Sequence, residues 1–178
     1  MISYLHKEKN SILQRMLAPI ARKLVVKFTD LPVDVVAGGL VLRCQFTDNY
    51  SEKKYVFTPW RYDHQELMEL SRALPQDGVF VEIGANVGLY SLAAARVLGN
   101  KGTIIAFEPN PPTLHRLNIN LEANRKKSAS WPDIRVLNIG IADENAERIL
   151  HIDDSNLGAC SIAKSNKSNH EQKYNVGC

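Results

Sequence analysis

The sequence predicts an α/β protein whose central strands form a parallel sheet, as in nucleotide-binding folds. From Val79 onward, short apolar runs alternate with segments of helical spacing, which is the order that a parallel sheet with helical crossovers requires. These runs are apolar throughout rather than at every second residue, as is typical of strands covered on both faces. We therefore expect a three-layer sandwich, to which an N-terminal helix and short β-strands are appended.

The first 76 residues are predicted to form the appended unit, and residues 77–178 the nucleotide-binding domain. Met1–Phe28 contains six basic residues against a single glutamate, with apolar residues at helical spacing. This predicts a basic amphipathic helix that packs on its own domain; the alternative is peripheral contact with an anionic membrane surface. Residues 34–60 predict two or three short strands linked by hairpins, and RYDHQELMELSRAL predicts a helix.

The central part of the chain predicts a strand, a helix and a second strand. Their expected positions are Val79–Ile83, about Val87–Leu98 and Thr103–Phe107. Asn110 is predicted to cap the next helix with its side chain. Pro111 suits the first turn of that helix, where a missing N–H removes no helical hydrogen bond.

Further elements follow the second strand of the core. Leu114, Leu117 and Leu121 lie at helical spacing and predict a buried helix face. Ile134–Asn138 predicts a third strand, and ERILHIDD one more short strand. The polar run from Ala163 predicts an exposed loop.

The stretch VEIGANVGLYSL contains a glycine turn between the first strand and helix of the core. Gly84 and Gly88 permit a sharp turn in which backbone N–H groups face a ligand. Glu108 ends the second strand, twenty positions after Gly88, where a carboxylate accepts the hydroxyls of a ribose. Because ligands of open parallel sheets lie beyond the carboxyl ends of the strands, the turn and the acid predict an adenosine-type ligand.

The turn departs from the fingerprint of a dinucleotide site. Asn86 and Leu89 stand where the second and third glycines of that fingerprint belong. A pyrophosphate needs bare backbone there, whereas S-adenosylmethionine has no phosphate and the Asn86 amide offers a polar contact. Glu82 adds negative charge near the expected amino group and sulfonium. The pattern favours S-adenosylmethionine, with an NAD-binding Rossmann-type enzyme as the alternative.

Four segments, VEIGANVGLYSL, AFEPNP, VLNIGIAD and SNLGACSI, together resemble the FkbM-type family of S-adenosylmethionine-dependent methyltransferases. That family has the Rossmann-like class I fold, and the resemblance covers about residues 77–161. It implies that the methionine half of the cofactor is lined by Glu82, Gly84, Ala85, Asn86 and Gly88. It further implies that Glu108 binds the ribose, that Pro109 and Asn110 flank the adenine, and that the segment Asn138–Asp143, with Ile141, closes its far edge.

The resemblance implies methyl transfer to a hydroxyl oxygen of a small molecule or sugar. The cofactor supplies the reactive group in such a transfer, and the protein supplies alignment and sometimes a base. No residue of this sequence is assigned as that base. Family members continue past SNLGACSI into further core strands, so we expect the N-terminal part of a longer methyltransferase domain, truncated after its third core strand. A non-catalytic remnant is the alternative.

The composition argues against several other classes of function. A net charge of +3, from 22 basic and 19 acidic residues, is too balanced to predict a nucleic-acid partner. No apolar run approaches the roughly 20 residues of a membrane span, and charge begins too early for a signal peptide. The three cysteines are scattered without histidines at ligand spacing, which favours reduced thiols in a cytoplasmic protein over disulfides or a metal site. The oligomeric state is not predicted.

Overall fold

The structure is a computed structural model that describes residues 31–37, 39–59, 62–153, 155–162 and 171–177. The predicted basic helix of Met1–Phe28 lies outside these residues. The elements are, in order, β1 (Val33–Ala37), β2 (Leu40–Cys44), α1 (Tyr50–Phe57), α2 (His64–Ala73), β3 (Val79–Ile83), α3 (Leu89–Leu98), β4 (Thr103–Phe107), α4 (Pro111–Arg125), β5 (Asp133–Leu137), β6 (Glu147–Asp153), β7 (Asn156–Ser161) and β8 (Glu171–Gly177).

Strands β3, β4 and β5 form a three-stranded parallel sheet in that order. Helices α3 and α4 cover the face that contains Ile104 and Ala106, both fully buried in the main core. The predicted α/β class with a parallel core sheet is confirmed. The predicted core strands and the helix between β3 and β4 begin and end within two residues of the expected positions.

The opposite face of this sheet is exposed in the described part of the chain. Val79, Val81 and Ile83 alternate with the inward-facing residues of β3 and are all exposed, Val81 by 52%. Among the described strands, β3 pairs with β4 alone and is therefore an edge strand. The described residues thus supply the sheet and one helical layer of the predicted three-layer sandwich.

The N-terminal elements are a β-hairpin followed by two helices. Strands β1 and β2 pair antiparallel, so two of the predicted short strands and the predicted helix α2 are confirmed. The possible third strand is not found among the described residues of this region, because YSEKKYVF forms helix α1. Asn49 explains the difference, since its side chain accepts from the Ser51 and Glu52 N–H groups and caps the helix.

The free edge of β2 is bound by two asparagines of α4 rather than by another strand. Asn124 accepts from Val41 N at 2.9 Å and donates to Val41 O at 2.6 Å. Asn120 accepts from Arg43 N at 2.8 Å and donates to Arg43 O at 3.4 Å. The hairpin and the parallel sheet share one hydrophobic core, and the predicted domain boundary at residues 76 and 77 stays a prediction.

The C-terminal part forms a small antiparallel sheet in the order β7-β6-β8. Strand β6 was predicted, whereas β7 was not. The expected exposed loop from Ala163 is wrong over Glu171–Gly177, which pairs with β6 along its whole length; residues 163–170 lie outside the described part. Backbone pairing at the edge of a sheet does not require apolar side chains. The polar sequence of β8 therefore gave no sign that this segment forms a strand.

Candidate functional site

The glycine turn follows β3 and is folded against the end of β4. Gly84, Asn86 and Gly88 all have positive φ angles, of 75°, 50° and 90°. The N–H groups of Gly84 and Ala85 both donate to Phe107 O at 2.9 Å. The turn therefore lies beyond the carboxyl ends of two neighbouring strands, where a ligand of this fold class binds.

The two glycines are needed for different reasons. A Cβ at Gly88 would lie 2.5 Å from Leu117 Cδ1, so glycine permits both the positive φ and the approach of α4. A Cβ at Gly84 would meet no atom within 4 Å. The space beside the Gly84 backbone is thus open, which fits a cofactor that lies against the turn.

Glu108 meets the turn, as the sequence predicted. Its Oε2 accepts from Asn86 N at 2.7 Å and its Oε1 from Asn110 N at 2.9 Å. The residue is only 4% exposed, and burial raises the pKa of its carboxyl, while the two backbone N–H groups oppose that rise. The acid at the end of β4 therefore holds the backbone of the glycine turn and of the segment before α4.

A cavity of about 220 Å³ lies beside the turn. Four residues of the predicted site line this cavity, namely Glu82, Gly84, Ala85 and Asn86. Three further walls, Val87, Leu89 and Tyr90, belong to the same glycine-turn motif. The sequence reasoning missed the walls from the N-terminal elements, which are formed by Leu42, Ser51, Glu52, Tyr55 and Tyr62. No local pattern marks these N-terminal residues, since the packing of β2 and α1 beside the turn brings them to the cavity.

Glu82 gives this cavity a carboxyl group whose charge depends on pH. The Ser91 hydroxyl donates to Glu82 Oε2. Burial raises the pKa of Glu82 to about 7, and the nearby Glu108 acts in the same direction, whereas Ser91 favours the carboxylate. A cation in the cavity would favour ionised Glu82.

Asn110 lies at the N-cap position of α4, but its side chain does not cap the helix. Instead its Nδ2 donates to Leu157 O at 2.7 Å, so the predicted capping role is wrong. The Leu157 carbonyl lies 47 positions away along the chain, so the local sequence around Asn110 does not indicate this contact. The Asn110 Oδ1 atom is buried and accepts no hydrogen bond from any described residue, which leaves an acceptor for a ligand beside Glu108.

The predicted far edge of the site divides into two parts. Asn138 supports the site, because its Nδ2 donates to Glu108 O at 2.9 Å and to Pro109 O at 3.1 Å. Ile141 and Asp143 are both exposed and do not line the cavity beside the turn. The structure thus brings Asn138 to the turn and acid, but not the residues that follow it.

Strand β7 lies against helices α1 and α4 and was not foreseen. Leu157 N donates to Asp48 O at 2.7 Å, and a Cβ at Gly158 would lie 3.4 Å from the side-chain amides of Asn49 and Asn86. Burial raises the pKa of the Cys160 thiol, and the charge of Glu108 acts in the same direction. Strand β7 therefore lies close to Asn86 of the turn.

The parallel sheet, the glycine turn after its first strand and the acid after its second define a Rossmann-like unit of the class I methyltransferase type. Residues 82–176 match the family model of the methyltransferase FkbM domain, which is more than half of the chain. The chain therefore belongs to the FkbM methyltransferase family, whose members depend on S-adenosylmethionine. The resemblance seen in the sequence is confirmed.

Two known proteins illustrate this relationship. The AMB antimetabolite synthetase AmbE of Pseudomonas aeruginosa is 31% identical over 117 residues, which are 66% of this chain and 5% of that protein. The crystal structure of Pyrococcus horikoshii TYW2 in complex with MeSAdo superposes with a TM-score of 0.50 at 21% identity, over 67% of this chain and 40% of that chain. The latter likeness shows the fold alone. The chain spans less than half the length of either protein.

Two other features of the described residues bear on function. No helix among them has both the length and the apolar character of a membrane span. Their His, Cys, Asp and Glu side chains form no group of three or more that could hold a metal ion. The cytoplasmic location stays a prediction.

Proposed function

We propose that this chain binds S-adenosylmethionine at the glycine turn, as part of an enzyme that methylates a hydroxyl oxygen of a small molecule or sugar. The observation that carries the proposal is the meeting of the Gly84–Gly88 turn with Glu108 beyond the ends of β3 and β4. The hydroxyl acceptor is supported by the family resemblance alone.

In this proposal the methionine half of the cofactor lies in the cavity beside Glu82, Gly84 and Ala85. Its amino group and sulfonium are positive, and Glu82 supplies the matching negative charge once it is ionised. Aromatic side chains of Tyr55 and Tyr62 help to exclude water from this cavity.

The nucleoside half lies on the side of Glu108, with Pro109 and Asn110 beside the adenine. An ionised carboxylate offers about four acceptor positions, and backbone N–H groups use two of those on Glu108. Two positions therefore remain for ribose hydroxyls. The unpartnered Asn110 Oδ1 supports a ligand donor at this end of the site.

When bound, the cofactor supplies an activated methyl group. The residues of this chain bind and orient it, since methyl transfer requires an in-line approach of the acceptor oxygen. NAD is disfavoured by the family match, by Asn86 in place of a glycine and by Glu82, which would repel a pyrophosphate.

Calorimetric titration with S-adenosylhomocysteine tests the proposal. We expect micromolar affinity in the full chain, no competition by NADH, and a loss of about 1–3 kcal/mol in Glu108→Ala, because ribose hydrogen bonds disappear. Glu122→Ala, which removes an exposed acid of α4, is the matched control and should bind normally. Unchanged affinity in Glu108→Ala, or protection by NADH, would contradict the proposal.

Transfer of a labelled methyl group to a panel of alcohols and sugars tests the second half of the proposal. The expected product is a methyl ether. Cofactor binding without transfer to any acceptor would favour the non-catalytic alternative, and transfer to nitrogen or carbon only would contradict the hydroxyl acceptor.

A further inference from the structure

Asn86 has an unusual backbone conformation at the centre of the proposed cofactor site. Its φ angle of 50° lies in the left-handed region, which asparagine adopts more readily than most residues but less readily than glycine. Its N–H donates to Glu108 Oε2 at 2.7 Å. The conformation of Asn86 therefore determines whether turn and acid stay joined.

A residue outside the predicted site holds the Asn86 side chain. Asn49 is 1% exposed, and its Nδ2 donates to Asn86 Oδ1 at 3.0 Å across 37 positions of sequence. The Asn49 Oδ1 accepts from Ser51 N at 3.0 Å and from Glu52 N at 3.2 Å. Because two backbone donors fix the oxygen, the nitrogen must face Asn86, and the orientation of the amide is determined.

Asn49 is itself anchored to the helix that follows the acid. Its neighbours Asp48 and Glu52 both pair with Arg116 of α4, at 2.6 Å and 2.7 Å. A Cβ at Gly158 of β7 would lie 3.4 Å from both asparagine amides, which is ordinary van der Waals contact. The contact with Asn86 is therefore made by a residue that is held on several sides.

We propose that Asn49 is a positioning residue that keeps the glycine turn in its ligand-binding conformation through Asn86. The dinucleotide fingerprint has a glycine at position 86, which adopts positive φ without help. Here an asparagine takes that place, and the amide of Asn49 compensates for the lower preference. The effect on the turn stands by itself, whereas the effect on cofactor affinity rests on the proposed function.

Amide hydrogen exchange in the full chain, followed by NMR, tests this proposal without any ligand. Asn49→Ser keeps a good capping side chain for α1 but has no amide for Asn86. We expect about tenfold faster exchange at the residue 86 N–H, with unchanged protection at Lys53 N, which donates to Asn49 O within the first turn of α1. Equal exchange at residue 86 in the wild type and in Asn49→Ser would overturn the proposal.

Asn86→Gly provides the second arm of the test, because glycine needs no side-chain partner to adopt this conformation. In that background Asn49→Ser should cause no further change in exchange. If Asn49→Ser alone fails to fold, the double variant should regain folding. Additive effects of the two substitutions, or a double variant that stays unfolded, would count against a role exerted through Asn86.

Affinity for S-adenosylhomocysteine gives a separate readout. We expect a loss of about 3- to 10-fold in Asn49→Ser, the size of one hydrogen bond, and recovery in the double variant. If the wild-type chain does not bind this ligand, the proposed function fails, while the exchange experiment still decides the role of Asn49. Binding that is unchanged in Asn49→Ser would remove this residue from the site.

Discussion

At the scale of single residues, Glu82 links burial to charge in the cavity beside the turn. Burial raises its pKa to about 7, so a large fraction of Glu82 is neutral in mildly acidic solution. A bound cation favours the ionised form and therefore releases a proton. The affinity for S-adenosylmethionine should consequently rise with pH up to the pKa and level off above it.

The first prediction concerns this pH dependence. Between about pH 6 and pH 8, S-adenosylmethionine should bind the wild-type chain more tightly as pH rises. Glu82→Gln should bind more weakly at pH 8 and with little dependence on pH, because glutamine does not ionise. Calorimetric titrations over this range measure both slopes, and a variant that retains the wild-type slope would show that another group titrates.

The second prediction compares the two glycines of the turn. Gly84→Ala should cost about 1–2 kcal/mol of unfolding free energy through backbone strain alone, because its Cβ meets open space. Gly88→Ala should cost about 1–3 kcal/mol more, because its Cβ also meets Leu117 at 2.5 Å. Urea denaturation measures the difference, and equal losses would contradict the close approach of α4.

Local chemistry explains which residues were predictable. Gly84, Gly88 and Glu108 were identified because their roles depend on strand ends and backbone angles, which short motifs encode. The neighbouring residues predicted that Asn110 caps α4. Its side-chain amide instead donates to the carbonyl of Leu157, which lies in a strand distant in sequence. Asn49 was missed for the same reason, since its partner lies far along the chain.

At the scale of elements, α4 joins the N-terminal hairpin to the parallel sheet. Arg116, Asn120 and Asn124 lie four residues apart along one face of the helix. Arg116 pairs with Asp48 and with the fully buried Glu52, and the two asparagines bind β2. Burial raises the pKa of Glu52 to about 7, although Arg116 favours its carboxylate.

The third prediction tests this connection. Arg116→Ala should lower the unfolding free energy by about 3–5 kcal/mol, because the buried Glu52 loses its cationic partner. Arg125→Ala removes an exposed ion pair with Glu122 on the same helix and should cost less than about 1 kcal/mol. Denaturation of the two variants gives the comparison; similar small losses would mean that the N-terminal elements are only loosely attached.

Elements were predictable where the apolar pattern was strong, as in the continuous apolar runs of β3 and β4 and the helical spacing of α2. Helix α1 was not, because its cap by Asn49 outweighs the strand-forming residues of YSEKKYVF. Strand β8 contains many polar residues and β7 several small ones. Their pairing with β6 depends on backbone groups that composition does not reveal.

At the scale of the whole molecule, the described chain buries one face of its parallel sheet and leaves the other exposed. The apolar runs of β3 and β4 predicted strands covered on both faces. The buried face was therefore predictable from the sequence. Coverage of the other face depends on elements that the described residues do not contain.

The fourth prediction compares the same change, valine to threonine, at an exposed position and at a buried position. Val81→Thr, on the exposed face, should change the unfolding free energy by less than about 0.5 kcal/mol. Val35→Thr, at a fully buried position of β1, should cost about 1–3 kcal/mol because its hydroxyl loses water. Thermal or urea denaturation measures both, and a large loss in Val81→Thr would show that this face is covered in solution.

The most direct test of the central claim is a titration of the isotopically labelled chain with S-adenosylhomocysteine, followed through its backbone amide resonances. We expect the largest shifts in the Gly84–Gly88 turn and at Glu108 and Asn110, while Asp133 at the N-terminal end of β5 is unaffected. Shifts concentrated elsewhere, or none at saturating ligand, would contradict a cofactor site built on this turn.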